Sequence, residues 1–195
     1  VEATGFSGAV LAGGSSRRMG RDKAFVELQG RPLVSFPIAA LQQAGAAEVL
    51  AVGGDRARLV ALGTTWVADR YPGAGPTGGI LTALGAAARD VVVVLGCDMP
   101  FVTAAAVGHV LAALEPGDDA AVPAVGGRLE PLLGAYRRRC APALAAALER
   151  GERAVHRALA GVAVRRVVLP DPGWARSINT PAELDAAAGA VGRVP

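Results

Sequence analysis

Val91-Val92-Val93-Val94-Leu95 runs directly into Gly96-Cys97-Asp98-Met99-Pro100. An unbroken apolar run rich in β-branched residues has no polar face, so the strand it forms must be covered on both sides. That is the position of a central strand in a parallel sheet with helices above and below. The aspartate that follows is held at the carboxyl end of the strand, where open α/β sheets gather their ligands.

Outward from this strand, short apolar runs alternate with Ala-rich or amphipathic segments, the pattern of repeated βα units. Upstream, strands are predicted over 6–12, 48–52 and 64–68, with helices over 33–44, 55–62 and 80–88. The segments 13–24 and 69–79 are read as Gly-rich loops. Downstream, a helix over 103–114 is capped by Thr103, and a strand follows over 120–125. Residues 128–136 return as a partner near the sheet edge. Helices over 137–150 and 153–159, a strand over 162–169 and a helix over 180–188 complete the chain. Thr180, Pro181 and Glu183 supply the cap, first position and N3 acid of that last helix. The expected fold is a single doubly wound, mostly parallel α/β sheet flanked by helices, Rossmann-like, with residues 1–195 forming one domain.

Composition agrees with a packed domain. The chain has 195 residues, of which 52% are hydrophobic and 19% charged, which excludes disorder. Only 4% are aromatic, so Ala, Val and Leu must build the core. No apolar run reaches the length of a membrane span, and residues 1–16 make a poor secretory signal. A cytoplasmic location without membrane attachment is expected. Cys97 and Cys140 lie far apart, as do His109 and His156, so neither a disulfide framework nor a zinc site is expected. The net charge of +3 is mild. Its dense part is Arg17, Arg18, Arg21 and Lys23, a cluster short enough to suit a small polyanion rather than a nucleic acid. Arg137-Arg138-Arg139 is read as a solvated surface run.

Three motifs fall at predicted strand ends. The first is Leu11-Ala12-Gly13-Gly14-Ser15-Ser16-Arg17-Arg18-Met19-Gly20-Arg21-Asp22-Lys23. Gly13 and Gly14 carry no Cβ, so backbone N–H groups can close around an anion. Lys23 is the only lysine among 20 Lys and Arg residues, and its compact ammonium suits a phosphate oxygen. The adjacent glycines match neither the Walker loop nor the dinucleotide G-x-G-x-x-G. A glycine turn with solvated charges is the competing reading. The second motif is Asp69-Arg70-Tyr71-Pro72-Gly73-Ala74-Gly75-Pro76-Thr77-Gly78-Gly79, in which Asp69 is a carboxylate able to accept from a pair of adjacent N–H donors. An exposed Asp69 in a surface turn is its alternative. The third is Asp98, a hard oxygen ligand suited to Mg²⁺, or else the start of an Asx-turn toward Pro100.

The sequence L-A-G-G-x-S-x-R-M-G-x-D-K after an N-terminal strand resembles the molybdenum cofactor guanylyltransferase family, within the nucleotidyltransferases. The resemblance runs from about Gly8 to about Leu184. It implies transfer of GMP from GTP to the terminal phosphate of molybdopterin or molybdenum cofactor, with release of pyrophosphate. It further implies that Leu11, Ala12, Gly13, Gly14, Lys23, Asp69 and Asp98 bind the nucleotide in the N-terminal half. Asp98 would hold Mg²⁺, and Lys23, Arg18 and Asp98 would be catalytic. Segments around Arg128–Tyr136 and 151–155, with Arg153 and Asn179, match the side that receives the acceptor, in the C-terminal third. Molybdoenzyme-maturation proteins are the candidate protein partners. Thr77 stands where the family usually has Leu, and Ser177 where it usually has Asn. A cytidylyl or sugar-phosphate transferase of the same fold, and a non-catalytic GTP-binding protein, are the alternatives. Helix capping is the competing reading of Asn179.

Overall fold

The computed structural model describes residues 5–13 and 22–191. Its first strand, β1 (Ser7–Leu11), is buried throughout. A hairpin, β2 (Glu27–Leu28) and β3 (Arg31–Pro32), precedes α1 (Ser35–Gln43), β4 (Val49–Val52), α2 (Arg56–Ala61) and β5 (Thr65–Val67). Next come α3 (Gly75–Ala86), β6 (Val91–Gly96) and α4 (Ala104–Ala112). The remaining elements are β7 (Ala120–Val125), β8 (Arg128–Leu129), β9 (Leu133–Arg137), α5 (Ala141–Glu149), α6 (Val155–Ala158), β10 (Val164–Val167) and α7 (Pro181–Val191).

The main sheet runs β10-β7-β9-β6-β1-β4-β5, with β8 hydrogen-bonded to β7. β1 pairs in parallel with both β4 and β6, β4 with β5, and β10 with β7. β9 is antiparallel to both its neighbours, with Leu133 opposite Leu95. The mostly parallel sheet expected from the βα alternation is therefore present. One expectation fails: the return segment does not lie near the edge but is inserted between β6 and β7. Five residues, Leu133-Gly134-Ala135-Tyr136-Arg137, form that strand, and all but the last are buried. Its apolar content fits an interior strand, but which neighbours it joins depends on pairing over long sequence distances.

The period-two alternation of the central strands divides the core between two layers. Val93 and Leu95 of β6 pack with Val10, Ile38, Leu41, Val107 and Val110, which brings α1 and α4 to one face. Val92 and Val94 pack with Leu11, Ile80, Leu84 and Leu144, which brings α3 and α5 to the other. Replacing one such fully buried Leu by Ala typically costs about 2–5 kcal/mol.

Three further departures follow, two of them in element boundaries. α3 begins at Gly75, not at residue 80, so Gly78 and Gly79 are helical rather than looped. Their role is close packing: a Cβ on Gly79 would stand 2.8 Å from Leu11 Cδ1, and one on Gly78 2.7 Å from Tyr71 Cβ. The arginine run does not open a long helix. Arg137 ends β9, and Arg138 and Arg139 form a 3₁₀ turn before α5. Nor are these arginines merely solvated: Arg137 pairs with Asp90 at 3.3 Å and Arg139 with Asp119 at 2.7 Å.

Candidate active site

The parallel register places the carboxyl ends of β6, β1, β4 and β5 side by side along one edge. At β1, the N–H groups of Ala12 and Gly13 both donate to Val52 O at 3.0 Å, which draws the ends of β1 and β4 together. The turn after β4 begins with Gly53 at φ +71°, where a Cβ would come within 2.8 Å of Gly13 Cα. Two glycines thus let two crossovers touch, leaving a rim of exposed backbone at Gly13. Gly53 was not anticipated as part of the site, because a glycine after a strand reads as an ordinary turn.

Asp69 follows β5 and lies half-buried on the same rim. Its Oδ1 accepts from Tyr71 N at 3.0 Å and from the Thr82 hydroxyl at 3.3 Å. Thr82 is fully buried in α3, and its Oγ1 also lies 2.9 Å from Gly78 O and accepts from Arg70 N at 3.1 Å. Asp69 is therefore anchored to α3 rather than left in a free surface turn.

Asp98 stands at the end of β6, next to β1. It makes an ion pair with Lys23, and the two side chains are only 17% and 15% exposed. Lys23 Nζ also donates to Asn179 Oδ1 at 2.7 Å. The Asp98 carboxylate thus meets a cation, and the Asx-turn alternative has no support. Lys23 opens a 3₁₀ turn, Lys23–Phe25, capped by Asp22, whose Oδ1 accepts from Ala24 N at 3.2 Å. The neighbouring Cys97 thiol is pushed up to about 12, by burial first and then by Asp98, so it is no nucleophile.

Asn179 reaches Lys23 through a small separate core. Leu28 and Leu33, from the hairpin just after Lys23, pack with Ile178 and Ala187. Ile178 N donates to Asp98 O at 2.9 Å. Thr180 Oγ1 accepts from Glu183 N at 3.2 Å, while Glu183 Oε2 accepts from Thr180 N at 3.0 Å and from Asn179 N. The backbone of Asn179 belongs to the cap of α7, and its side chain reaches the lysine.

Next to Asp98, between the segment before β9 and the first turn of α3, a cleft of about 250 Å³ opens. Pro76, Met99, Leu129, Leu132 and Val155 form apolar walls, and Glu130, His156 and Ser177 supply the polar groups. The Thr77 departure has a structural explanation: the side chain is fully buried and donates to Arg153 O at 3.0 Å, joining α3 to the loop before α6. It is the carbonyl of Arg153 that is engaged. Its side chain is exposed and makes no hydrogen bond among the described residues. Gly14 and Arg18, with Arg17 and Arg21, lie outside the described residues.

A doubly wound sheet whose strand ends carry a glycine-lined rim, a lysine–carboxylate pair and an adjoining cleft has the layout of an α/β nucleotide-binding protein. Comparison with known proteins makes this more specific. Residues 8–164 match the family model described as a MobA-like NTP transferase domain, and the chain belongs to that family. It is 38% identical over 178 residues to a probable molybdenum cofactor guanylyltransferase of Opitutus terrae, covering 88% of each chain. With the molybdenum cofactor guanylyltransferase of Cereibacter sphaeroides it shares 35% identity over 181 residues, 91% of this chain and 92% of the other. The crystal structure of molybdopterin-guanine dinucleotide biosynthesis protein A from Archaeoglobus fulgidus superposes with a TM-score of 0.80 at 27% identity. It covers 96% of this chain and 100% of that one. No described helix is long and apolar enough to cross a membrane.

Proposed function

We propose that this nucleotidyltransferase moves GMP from GTP to the terminal phosphate of molybdopterin or of its metal-loaded form, releasing pyrophosphate. The observation that carries the reading is the convergence of Lys23, Asp98 and Asn179 at the end of the central strand, between the glycine rim and the apolar cleft. An acceptor phosphate is already anionic at neutral pH, so no side chain need act as general base. Its oxygen attacks the α-phosphorus in line as the bond to the departing pyrophosphate breaks. The protein's contribution is then orientation and charge neutralisation.

In this reading Leu11, Ala12 and Gly13 cradle the nucleotide from below, with Gly53 keeping that backbone accessible. Asp69, with one oxygen anchored, presents the other toward the base. The Lys23 ammonium moves onto the phosphates, and Asn179 steadies it. The site also fits Mg²⁺: Asp98 and Asn179 offer hard oxygen donors that already converge on one cationic point, Lys23 Nζ. Among the described residues no group of three metal-binding side chains converges, so one carboxylate plus substrate phosphates is the arrangement available. Held by Asp98, the ion would neutralise charge developing on the phosphates. A cytoplasmic setting suits free thiols at Cys97 and Cys140.

The test is thermal unfolding with each of ATP, CTP, GTP and UTP, with and without Mg²⁺, followed by pyrophosphate release when molybdopterin is added. A nucleotide at a hundred times its dissociation constant should stabilise the fold by about 2.7 kcal/mol. GTP is expected to stabilise most, and acceptor to trigger release. Preference for CTP would assign a cytidylyltransferase, and GTP binding without release a non-catalytic protein.

A further inference from the structure

The cleft beside Asp98 contains a carboxylate that the reaction above leaves without a task. Glu130 lies in the segment between β8 and β9. Because Leu133 is paired with Leu95, this segment stands at the same edge as Asp98 but on the side away from β1, β4 and β5. The segment is held firmly. Glu130 N donates to Pro123 O at 2.8 Å and Leu133 N to Glu130 O at 3.0 Å. Tyr136, fully buried, donates its hydroxyl to Pro131 O at 2.7 Å. Gly96 N donates to Leu132 O at 3.1 Å, which ties the segment to the strand that carries Asp98.

Among the described residues, nothing donates a hydrogen bond to the Glu130 carboxylate, although it is half-buried and lines the cleft. Burial raises its carboxyl above the usual range, only partly countered by Arg128. A carboxylate kept from water without a donor is costly, and a ligand bringing donors relieves that cost. Two parallel acceptor oxygens match two adjacent N–H donors, as in a carboxylate–guanidinium fork. The flanking walls are apolar and suit the faces of a flat ring.

We propose that Glu130 is the specificity-determining residue of the acceptor cleft, its carboxylate taking the ring N–H and amino group of a 2-amino-4-oxo pterin. This deepens the proposed function and rests on it for the acceptor. The guanine of GTP presents the same donor edge, but none of Gly13, Gly53 and Asp69 lines this cleft. The pterin is therefore the source assigned to Glu130.

The experiment titrates the full chain, by fluorescence, with 6-hydroxymethylpterin and with 6-hydroxymethyllumazine, in which an oxo group replaces the amino donor. Mg²⁺–GTP binding is measured in parallel by calorimetry. The wild type should prefer the pterin by at least tenfold. Glu130→Gln, and Glu130→Asp as a variant that keeps the charge but withdraws it, should lose most of that preference while binding GTP unchanged. Equal binding of the two heterocycles by the wild type, or binding of neither, overturns the proposal. So does a Glu130→Gln protein that keeps the preference, or one that loses GTP instead. The wild-type preference alone decides the matter if the variants fail to fold. A wild type that selects the pterin but does not bind GTP would defeat the proposed reaction and leave the role of Glu130 standing.

Discussion

Lys23 faces two oxygens, from Asp98 and Asn179, in a site where both members of the ion pair are mostly removed from solvent. Removing either charge should therefore weaken catalysis and, by leaving the other charge unpaired, also lower stability. Asp98→Asn and Lys23→Met are each expected to slow nucleotidyl transfer by about 10²-fold or more, the scale of losing one preorganised electrostatic contact. Circular dichroism should show the fold retained. Full activity in either variant would remove it from the machinery. Lys23 and Asp98 were legible in the sequence because each follows a strand signal within a recognisable motif. Gly53 and Glu130 were not. The first acts through a backbone approach to Gly13, and the second through a cleft built from five separate segments, neither of which has a local signature.

At the level of elements, α3 shows why glycine is ambiguous. Gly78-Gly79 reads as a loop signal, yet the pair lies in a helix pressed against Leu11 and Tyr71. Gly79→Ala should therefore destabilise despite the better helix propensity of alanine, by about 1–3 kcal/mol from overpacking. Displacement of Leu11, which is proposed to cradle the nucleotide, should weaken nucleotide binding as well. Gly108 in α4 is the control: it is exposed, and a Cβ there meets nothing within 4 Å. Gly108→Ala should stabilise by about 0.5–1 kcal/mol. Opposite shifts in the denaturation midpoint are the expected result. The cap of α7 gives a pH effect. Hydrogen bonds from Asn179 N and then Thr180 hold the Glu183 carboxyl below its ordinary value, with Lys23 adding to this. A folded value below the unfolded one means that the contribution is present above the unfolded pKa and fades as pH falls through the folded one. Relative to wild type, Glu183→Gln should lose stability at neutral pH and converge toward it in acid, measured by urea unfolding across that range.

For the whole molecule, βα alternation was enough to foresee a mostly parallel sheet covered on both faces. It was not enough to place β9, because strand order is decided by pairing between distant segments. That placement joins the β1-β4-β5 side to the β7-β10 side through the β6–β9 seam, and the two core layers cross it without a break. Unfolding should therefore be a single cooperative event. Trp66, on β5, and Trp174, in the turn that packs against β7, report from opposite flanks. Single-tryptophan variants retaining one or the other should give coincident thermal transitions, whereas separated midpoints would reveal two independent units.

The contacts that complete the lysine's surroundings reach 75 residues along the chain to Asp98 and 156 to Asn179. During translation the glycine rim is made well before the asparagine. A nascent polypeptide therefore holds the residues proposed to cradle the nucleotide long before it can bring Lys23, Asp98 and Asn179 together, a step that waits for Ile178 and Ala187 to pack on Leu28 and Leu33.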